Sequence, residues 1–155
     1  MEIRDARPAD AEAACEVMRR SIAELCEADH RGHPAILEAW LANKKPEIFR
    51  SWLAEPDNSM LVAVEDGRIL AVGAVRDSGE ITLNYVSPDA RFRGVSRTLL
   101  AALERRAIER GSHRCRLAST ATARRFYLAN GYVETGQPGG QFGTSSGFPM
   151  SKALK

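Results

Sequence analysis

A chain of 155 residues with 44% hydrophobic and 27% charged residues has the composition of a globular protein large enough to bury one core, so we expect a single domain over residues 1–155. A net charge of +2 is too small to indicate nucleic-acid binding, and no apolar run approaches the roughly 18 residues of a membrane span. The sequence shows neither a signal peptide nor metal-ligand spacing among its 3 cysteines and 3 histidines. It therefore predicts a cytoplasmic protein with reduced thiols and no metal site.

The N-terminal third of the chain predicts one short strand followed by helices. The strand candidate is 3–7, and Asp10 is placed to cap a helix whose apolar residues recur at three- and four-residue spacings. A polar segment, 29–34, is expected to end this helix as a loop. Two shorter helices are predicted next, over residues 35–42 and 46–54.

The middle of the chain predicts an antiparallel meander. Two apolar runs, 60–64 and 69–75, are joined by a turn that contains Asp66-Gly67. An Asp-Gly pair readily adopts the positive φ angles of a tight hairpin. A second turn, at residues 77–79, leads to a further strand that Glu80 begins.

An arginine-rich turn joins the strand predicted over residues 81–86 to an amphipathic helix. The turn consists of Arg91, Phe92, Arg93, Gly94, Val95, Ser96 and Arg97. The start of a helix offers unpaired N–H groups and the positive end of a dipole, and Gly94 lets the backbone approach a ligand closely. These residues fit a site for a phosphorylated ligand, and they fit equally well an ordinary connection with solvated arginines.

The C-terminal third predicts a strand over 113–118, which would pair in parallel with strand 81–86 through a right-handed crossover. Thr120 is placed to cap a helix over 121–130. The chain ends with a short strand, a glycine-rich loop and a closing strand, over 132–135, 136–147 and 148–154. Because Pro149 has no N–H to donate, the closing strand is expected at a sheet edge or at a bulge.

Two stretches of the chain carry motifs that resemble those of the GNAT superfamily of acyl-CoA-dependent N-acetyltransferases. The family's pyrophosphate loop, Arg/Gln-x-x-Gly-x-Gly/Ala, corresponds to Arg91-Phe-Arg-Gly-Val-Ser96. Its later motif, Ala-x-x-Phe-Tyr-x-x-x-Gly-Phe/Tyr, corresponds to Ala123-Arg-Arg-Phe-Tyr-Leu-Ala-Asn-Gly-Tyr132. Both motifs occur in the family's order, and the resemblance is most specific from Glu80 to Tyr132.

The resemblance implies one GNAT domain of the α/β (α+β) class. Its central sheet would be mixed, with about six to seven strands that are mostly antiparallel, one splayed parallel pair, and about four to five flanking helices. The same analogy allows a homodimer through the closing strands.

The resemblance also implies acetyl-CoA as the acetyl donor. The N–H groups and arginines of the turn would hold its pyrophosphate, a set that comprises Arg91, Phe92, Arg93, Gly94, Val95, Ser96 and Arg97. Val86 would hydrogen-bond the pantetheine through its backbone, and a backbone N–H near Tyr85 or Val86 would polarise the thioester carbonyl. Thr120 and Ala123 complete the expected donor contacts. Ser96 and Thr120 depart from the family pattern, which has Gly or Ala and commonly Asn there, and neither change removes the chemistry.

Two residues are expected to move protons. Tyr127 matches the family's acid position, because a phenol with a pKa of about 10 is protonated at neutral pH and can donate to a departing thiolate. The other interpretation is an aromatic side chain that packs a helix onto the sheet, which is the role expected for Phe126. Glu80 resembles the glutamate that leads a strand in histone-acetylating members and could act as a base through water. It fits equally well a solvated turn residue.

The sequence thus predicts an N-acetyltransferase that moves the acetyl group of acetyl-CoA onto a primary amine, without nucleic acid or membrane as a partner. The alternative is a non-catalytic acyl-CoA-binding sensor or structural protein, which would need the same phosphate-binding turn. In the family, the acceptor pocket is built from the regions that correspond to residues 22–55 and 134–147. The acceptor itself stays open among small amines, amino acids, aminoglycosides and protein amines.

Overall fold

The computed structural model describes residues 1–139 and 147–155, which form seven strands and six α-helices. The strands are β1 (Glu2–Asp5), β2 (Asn58–Glu65), β3 (Arg68–Arg76), β4 (Ile81–Val86), β5 (Arg114–Ser119), β6 (Val133–Glu134) and β7 (Phe148–Ala153). The helices are α1 (Ala11–Leu25), α2 (Glu27–His30), α3 (Pro34–Leu41), α4 (Pro46–Leu53), α5 (Val95–Glu109) and α6 (Arg124–Ala129). Most of the predicted loop 136–147, namely residues 140–146, lies outside the described residues.

The first four strands form an antiparallel sheet in the order β1-β2-β3-β4. β2 and β3 are the predicted hairpin. Asp66 and Gly67 at its tip have φ angles of 53° and 74°, the positive values that a tight two-residue turn requires. β4 pairs with β3 from Ile81 to Val86, so β4 lies at the edge of this sheet.

The last three strands form a second antiparallel sheet in the order β5-β7-β6. β7 therefore lies at its centre, and the expectation of a closing edge strand is wrong. The carbonyl of Pro149 accepts a hydrogen bond from the N–H of Thr135 at 2.9 Å, one residue beyond the end of β6. Because a strand residue directs its nitrogen and its carbonyl to the same side, the nitrogen of Pro149 also faces Thr135 and cannot donate to it. The proline therefore leaves this last pair, just beyond β6, with one bond instead of two.

β4 and β5 do not form the expected parallel ladder. Glu80, just before β4, makes an isolated parallel bridge with Arg116, whose N–H donates to the Gly79 carbonyl at 3.0 Å. Within the described residues, the two sheets share no further strand pairing. The strand number lies within the expected range, but the strands form two antiparallel sheets joined by one bridge, and a parallel pair within one mixed sheet is not confirmed.

α1 and α5 cover opposite faces of the first sheet. The neighbouring residues Ala71 and Val72 of β3 belong to different hydrophobic clusters, one around Leu103 of α5 and one around Met18 of α1. α5 approaches β3 closely, since a Cβ on Gly73 would lie 2.8 Å from a methyl group of Leu103. No helix within residues 1–139 and 147–155 is both long enough and apolar enough to cross a membrane.

The segment between α1 and α3 differs from the expected loop. α2 forms an additional turn of helix, which brings the described helices to six, whereas about four to five were expected. His30 is buried, its Nδ1 accepts a hydrogen bond from the N–H of Gly32 at 2.9 Å, and its Nε2 donates to the Ala23 carbonyl at 3.2 Å. The His30 ring thus links the turn at Gly32 to Ala23 of α1.

Candidate active site

A cleft of about 700 Å³ opens where β4 and β5 part. The predicted site residues that line it are Val86, Arg91, Phe92, Gly94, Val95, Ser96, Arg97, Thr120, Ala123 and Tyr127. Arg93 and Glu80 are not among its lining residues. α1 and the residue after it contribute Ser21, Leu25 and Cys26, which no sequence motif singled out.

The N-terminus of α5 faces this cleft. Gly94 precedes the helix with a φ angle of 78°, a left-handed conformation that favours glycine. The N–H groups of Val95, Ser96 and Arg97 lie in the first turn, so they have no acceptor within the helix, and no described side chain caps them. These donors and the positive end of the helix dipole can bind an anionic group in the cleft.

The three arginines of this turn have different environments. Arg91 lines the cleft, with its guanidinium carbon 4.5 Å from the centre of the Phe92 ring. Arg97 also lines the cleft and is exposed. Arg93 instead donates to a carboxylate oxygen of Glu65 at 2.7 Å. Arg91 and Arg97 are therefore the side chains that add positive charge to the cleft itself.

The register of β4 determines which of its backbone groups face the cleft. The N–H of Ser87 donates to the Leu70 carbonyl at 2.7 Å and thus points toward β3. The backbone groups of successive strand residues point in alternate directions, so those of Tyr85 also point toward β3. The N–H and carbonyl groups of Asn84 and Val86 therefore point to the open edge of β4. Val86 therefore presents its backbone to the cleft, whereas the N–H of Tyr85 does not.

Tyr127 reaches the cleft from α6. Its side chain is buried, with 6% of the residue exposed, and its ring makes edge-to-face contacts with Phe126 and Tyr132. The side-chain amide of Asn84 donates to the Tyr127 hydroxyl oxygen at 2.9 Å. The hydroxyl oxygen is the acceptor of this bond, so its own hydrogen remains available for donation.

Burial raises the pKa of Tyr127 to about 12, and the hydrogen bond from Asn84 opposes this rise. The amide N–H stabilises a phenolate, since a donor favours the charged form of an acid. Tyr127 is thus protonated at neutral pH and is held by a donor that strengthens it as an acid.

A second phenol lies on the α1 side of the cleft. The hydroxyl oxygen of Tyr85 accepts a hydrogen bond from the indole N–H of Trp40 at 3.2 Å, and Tyr85 lines the cleft. Burial raises the pKa of Tyr85 above its ordinary value. Trp40 is 4% exposed and packs in a small cluster with Ile22 and Cys26. It does not line the cleft itself, but its indole N–H binds Tyr85, which does.

A buried carboxylate positions the turn between β5 and α6. Asp29 accepts hydrogen bonds from the N–H groups of Ala121 and Thr122 at 2.7 and 3.2 Å, and from the Thr122 hydroxyl at 2.7 Å. Thr120 accepts a bond from the N–H of Ala123 at 3.1 Å, but α6 begins only at Arg124, with Ala123 as its N-cap. Thr120 therefore closes the turn before the helix, and the prediction that it caps a helix over 121–130 is wrong. α2 therefore fixes the turn whose residues form one wall of the cleft.

The structure does not bring Glu80 together with Tyr127. Glu80 is exposed and lines a separate depression of about 510 Å³ with Arg114 and Arg116. Leu117 and Ala118 line both this depression and the cleft, so β5 forms their common wall.

The cleft contains one thiol, that of Cys26. Burial raises its pKa to about 12, so the thiol stays protonated at neutral pH. All 3 cysteines are free and buried. Among residues 1–139 and 147–155, no group of three or more His, Cys, Asp or Glu side chains could hold a metal ion.

This fold, with a helix N-terminus and two parted strands on one cleft, is that of an acetyltransferase. Residues 21–154 match the family model described as an acetyltransferase (GNAT) domain. The chain therefore belongs to the GNAT acetyltransferase family, and the resemblance noted in its sequence is confirmed.

Solved structures agree over almost the whole chain. A GCN5-related N-acetyltransferase from Rhodopseudomonas palustris is 26% identical, with a TM-score of 0.85 over 99% of this chain and 95% of that one. A ribosomal-protein-alanine N-acetyltransferase from Brucella melitensis is 25% identical, with a TM-score of 0.76 over 99% and 100%. The PaiA N-acetyltransferase from Thermoplasma acidophilum, in complex with coenzyme A, shares the fold at 24% identity, with a TM-score of 0.80 over 99% and 98%. A comparison with curated protein sequences gives no match.

Proposed function

We propose that this protein transfers the acetyl group of acetyl-CoA directly to a primary amine. The observation that carries the proposal is one cleft that joins the free N–H groups at the start of α5 to the hydroxyl of Tyr127. An acetyl-CoA molecule has an anionic pyrophosphate at one end and a thioester at the other. The cleft offers matching groups, anion-binding donors and an acid, in that order.

The donor would lie between β4 and β5. Its pyrophosphate would accept hydrogen bonds from the first turn of α5, with Arg91 and Arg97 beside it. The pantetheine amides would pair with the open edge of β4 through the backbone of Val86, as an added strand would. The PaiA N-acetyltransferase from Thermoplasma acidophilum, which has the same fold, was solved in complex with coenzyme A, and this supports coenzyme A as the class of ligand.

The acetyl transfer needs one acid. The amine nitrogen forms a bond to the thioester carbon, the carbon–sulfur bond breaks, and the sulfur leaves with the electron pair as a thiolate. Tyr127 donates its proton to this sulfur, and the backbone N–H of Asn84, which also points to the open edge of β4, stabilises the carbonyl oxygen while it carries negative charge. The attacking ammonium must first lose one proton, and any part of Glu80 in that step would pass through water from the neighbouring depression. The nitrogen loses a second proton once it is bonded to the thioester carbon, and this proton, carried by water, restores the hydroxyl of Tyr127.

The test is release of free coenzyme A from acetyl-CoA across a panel of amines and peptides, for the wild type and for Tyr127→Phe. We expect acceptor-dependent release whose kcat falls about 100-fold in the variant, the lower end of the range for a lost general acid. The Kd for acetyl-CoA should not change, because the ring and its packing remain. Tight binding of acetyl-CoA without turnover on any acceptor would favour the acyl-CoA sensor, and no binding at all would refute the proposal.

A further inference from the structure

Phe92 combines two features that are each unfavourable for a protein without a bound ligand. Its φ angle is 63°, in the left-handed region that costs a bulky residue energy, and 92% of its surface is exposed. The other described non-glycine residues with positive φ are Asp66, at the hairpin tip, and Arg31, at the end of α2, where turns require that conformation. Glycine would suit the backbone at position 92 better, and a polar side chain would suit its exposure better.

The surroundings of Phe92 are those of a nucleotide site. The ring lines the cleft beside the unpaired N–H groups of α5, and the Arg91 guanidinium lies 4.5 Å from the ring centre. Arg93, on the other side in sequence, is held away by its ion pair with Glu65. A flat aromatic surface thus lies next to the proposed phosphate-binding groups, with a cation beside it.

We propose that the Phe92 ring stacks on the adenine of coenzyme A and so makes the protein selective for donors that carry the nucleotide. The inference rests on the proposed donor site and adds a determinant of specificity to it. In coenzyme A the pyrophosphate is bonded to the adenosine, so groups that hold the pyrophosphate place the adenine beside them. A purine ring stacks favourably on an exposed aromatic side chain and on a guanidinium. The stacked base would cover the ring that is otherwise exposed to water.

The test compares ligands with and without the nucleotide. Titration calorimetry gives the Kd values of coenzyme A, adenosine 3′,5′-bisphosphate and 4′-phosphopantetheine for the wild type, Phe92→Gly, Phe92→Leu and Phe92→Trp. Phe92→Gly removes the ring and relieves the left-handed strain, whereas Phe92→Leu keeps an apolar side chain at the same φ without an aromatic face. Leu128→Ala, at a residue 45% exposed that does not line the cleft, is the control for loss of an exposed apolar side chain.

We expect Phe92→Gly and Phe92→Leu to weaken coenzyme A and adenosine 3′,5′-bisphosphate about tenfold, and Phe92→Trp to retain the wild-type affinity. The loss for 4′-phosphopantetheine should be several-fold smaller, and the Tm of Phe92→Gly should equal or exceed that of the wild type. Equal losses for all three ligands, no loss, or a loss in Phe92→Gly alone would overturn the inference. A wild type that binds coenzyme A with these effects but transfers no acetyl group would contradict the proposed function and leave this inference standing. A wild type that binds none of the ligands would overturn both.

Discussion

The Asn84 amide nitrogen lies 2.9 Å from the Tyr127 hydroxyl oxygen, and the amide is the donor. This bond brings a strand residue and a helix residue together at the point where β4 and β5 part. Because the bond stabilises the phenolate, it keeps the pKa of Tyr127 lower than burial alone would place it. Asn84 is thus a positioning residue for the proposed acid.

Removal of the Asn84 side-chain amide should make Tyr127 a weaker acid without changing the affinity for acetyl-CoA. We expect Asn84→Ala to lower kcat by about three- to tenfold, the value of one hydrogen bond, with an unchanged Kd for acetyl-CoA. Asn84→Asp should lower kcat further, since an ionised carboxylate can only accept and would bind the proton that Tyr127 has to donate. Steady-state kinetics and acetyl-CoA titrations on both variants measure this. Equal kcat values for the wild type and Asn84→Ala would show that the amide does not assist Tyr127.

Local sequence signals predicted the parts of the fold and of the site that form within one short segment. The tight turn at Asp66-Gly67 was predicted from the φ angles that glycine allows, and the turn from Arg91 to Arg97 was recognised as a link between a strand and a helix from its neighbouring residues. Tyr127 was found through a motif, and it does line the cleft. These features did not require knowledge of which strands pair.

Features that depend on distant residues were not predicted. Asn84 and Tyr127 are 43 residues apart, and Asp29 is 92 residues from Ala121, so no local pattern marks either bond. The proline in β7 indicated an edge strand, but Pro149 faces Thr135, just beyond the two-residue β6, so its missing N–H affects only the last pair of that ladder. β7 can be central because the proline lies opposite the end of its short partner strand.

Asp29 should contribute both to the stability of the fold and to the binding of acetyl-CoA. In Asp29→Asn one oxygen becomes an NH2 group, which faces N–H donors of the turn at Ala121 and Thr122 and cannot accept from them. We expect a loss of about 1–3 kcal/mol in the free energy of unfolding and a higher KM for acetyl-CoA, because this turn forms a wall of the cleft. Urea unfolding and kinetics measure the two effects.

Glu12→Gln is the matched control for Asp29→Asn. It neutralises an exposed carboxylate that pairs with Arg50, and it should leave stability almost unchanged, because water and salt screen an exposed ion pair. A cycle of Asp29→Asn with Thr122→Val should be non-additive, since the Thr122 hydroxyl donates to the same carboxylate. If the losses in the free energy of unfolding of the two single variants simply add in the double variant, Asp29 and Thr122 do not act through the same bond.

Glu80→Gln should have a small effect on turnover. The side chain lies outside the cleft lining, so we expect kcat/KM to stay within about threefold of the wild type, whereas loss of a direct base costs about 100-fold or more. The measurement is the pH profile of kcat/KM for both proteins. A large fall, with loss of the acidic limb of the profile, would instead identify Glu80 as the base that works through water.

Lys44 should make stability depend on pH in the alkaline range. The residue is 6% exposed, and its ammonium donates to the Asn43 side-chain oxygen at 2.6 Å and to the Trp40 carbonyl at 3.4 Å. Burial lowers the pKa of Lys44 to about 8, against about 10.4 in an unfolded chain. Between these values the unfolded state binds the proton that the folded state has lost, so the contribution of Lys44 to stability rises with pH.

Lys44→Met removes this titration and fills the same space with an apolar side chain. We expect the variant to be more stable than the wild type at pH 7, by an amount on the order of 3 kcal/mol at about 1.4 kcal/mol per pKa unit. The difference should shrink as pH rises from 8 to 10. Denaturant unfolding of both proteins across this range measures it, and the buried thiols and phenols cancel because both proteins carry them. Lys45→Met, at the exposed neighbour, controls for loss of a lysine, and a difference that stays constant from pH 7 to 10 for Lys44→Met would contradict a buried, titrating amine.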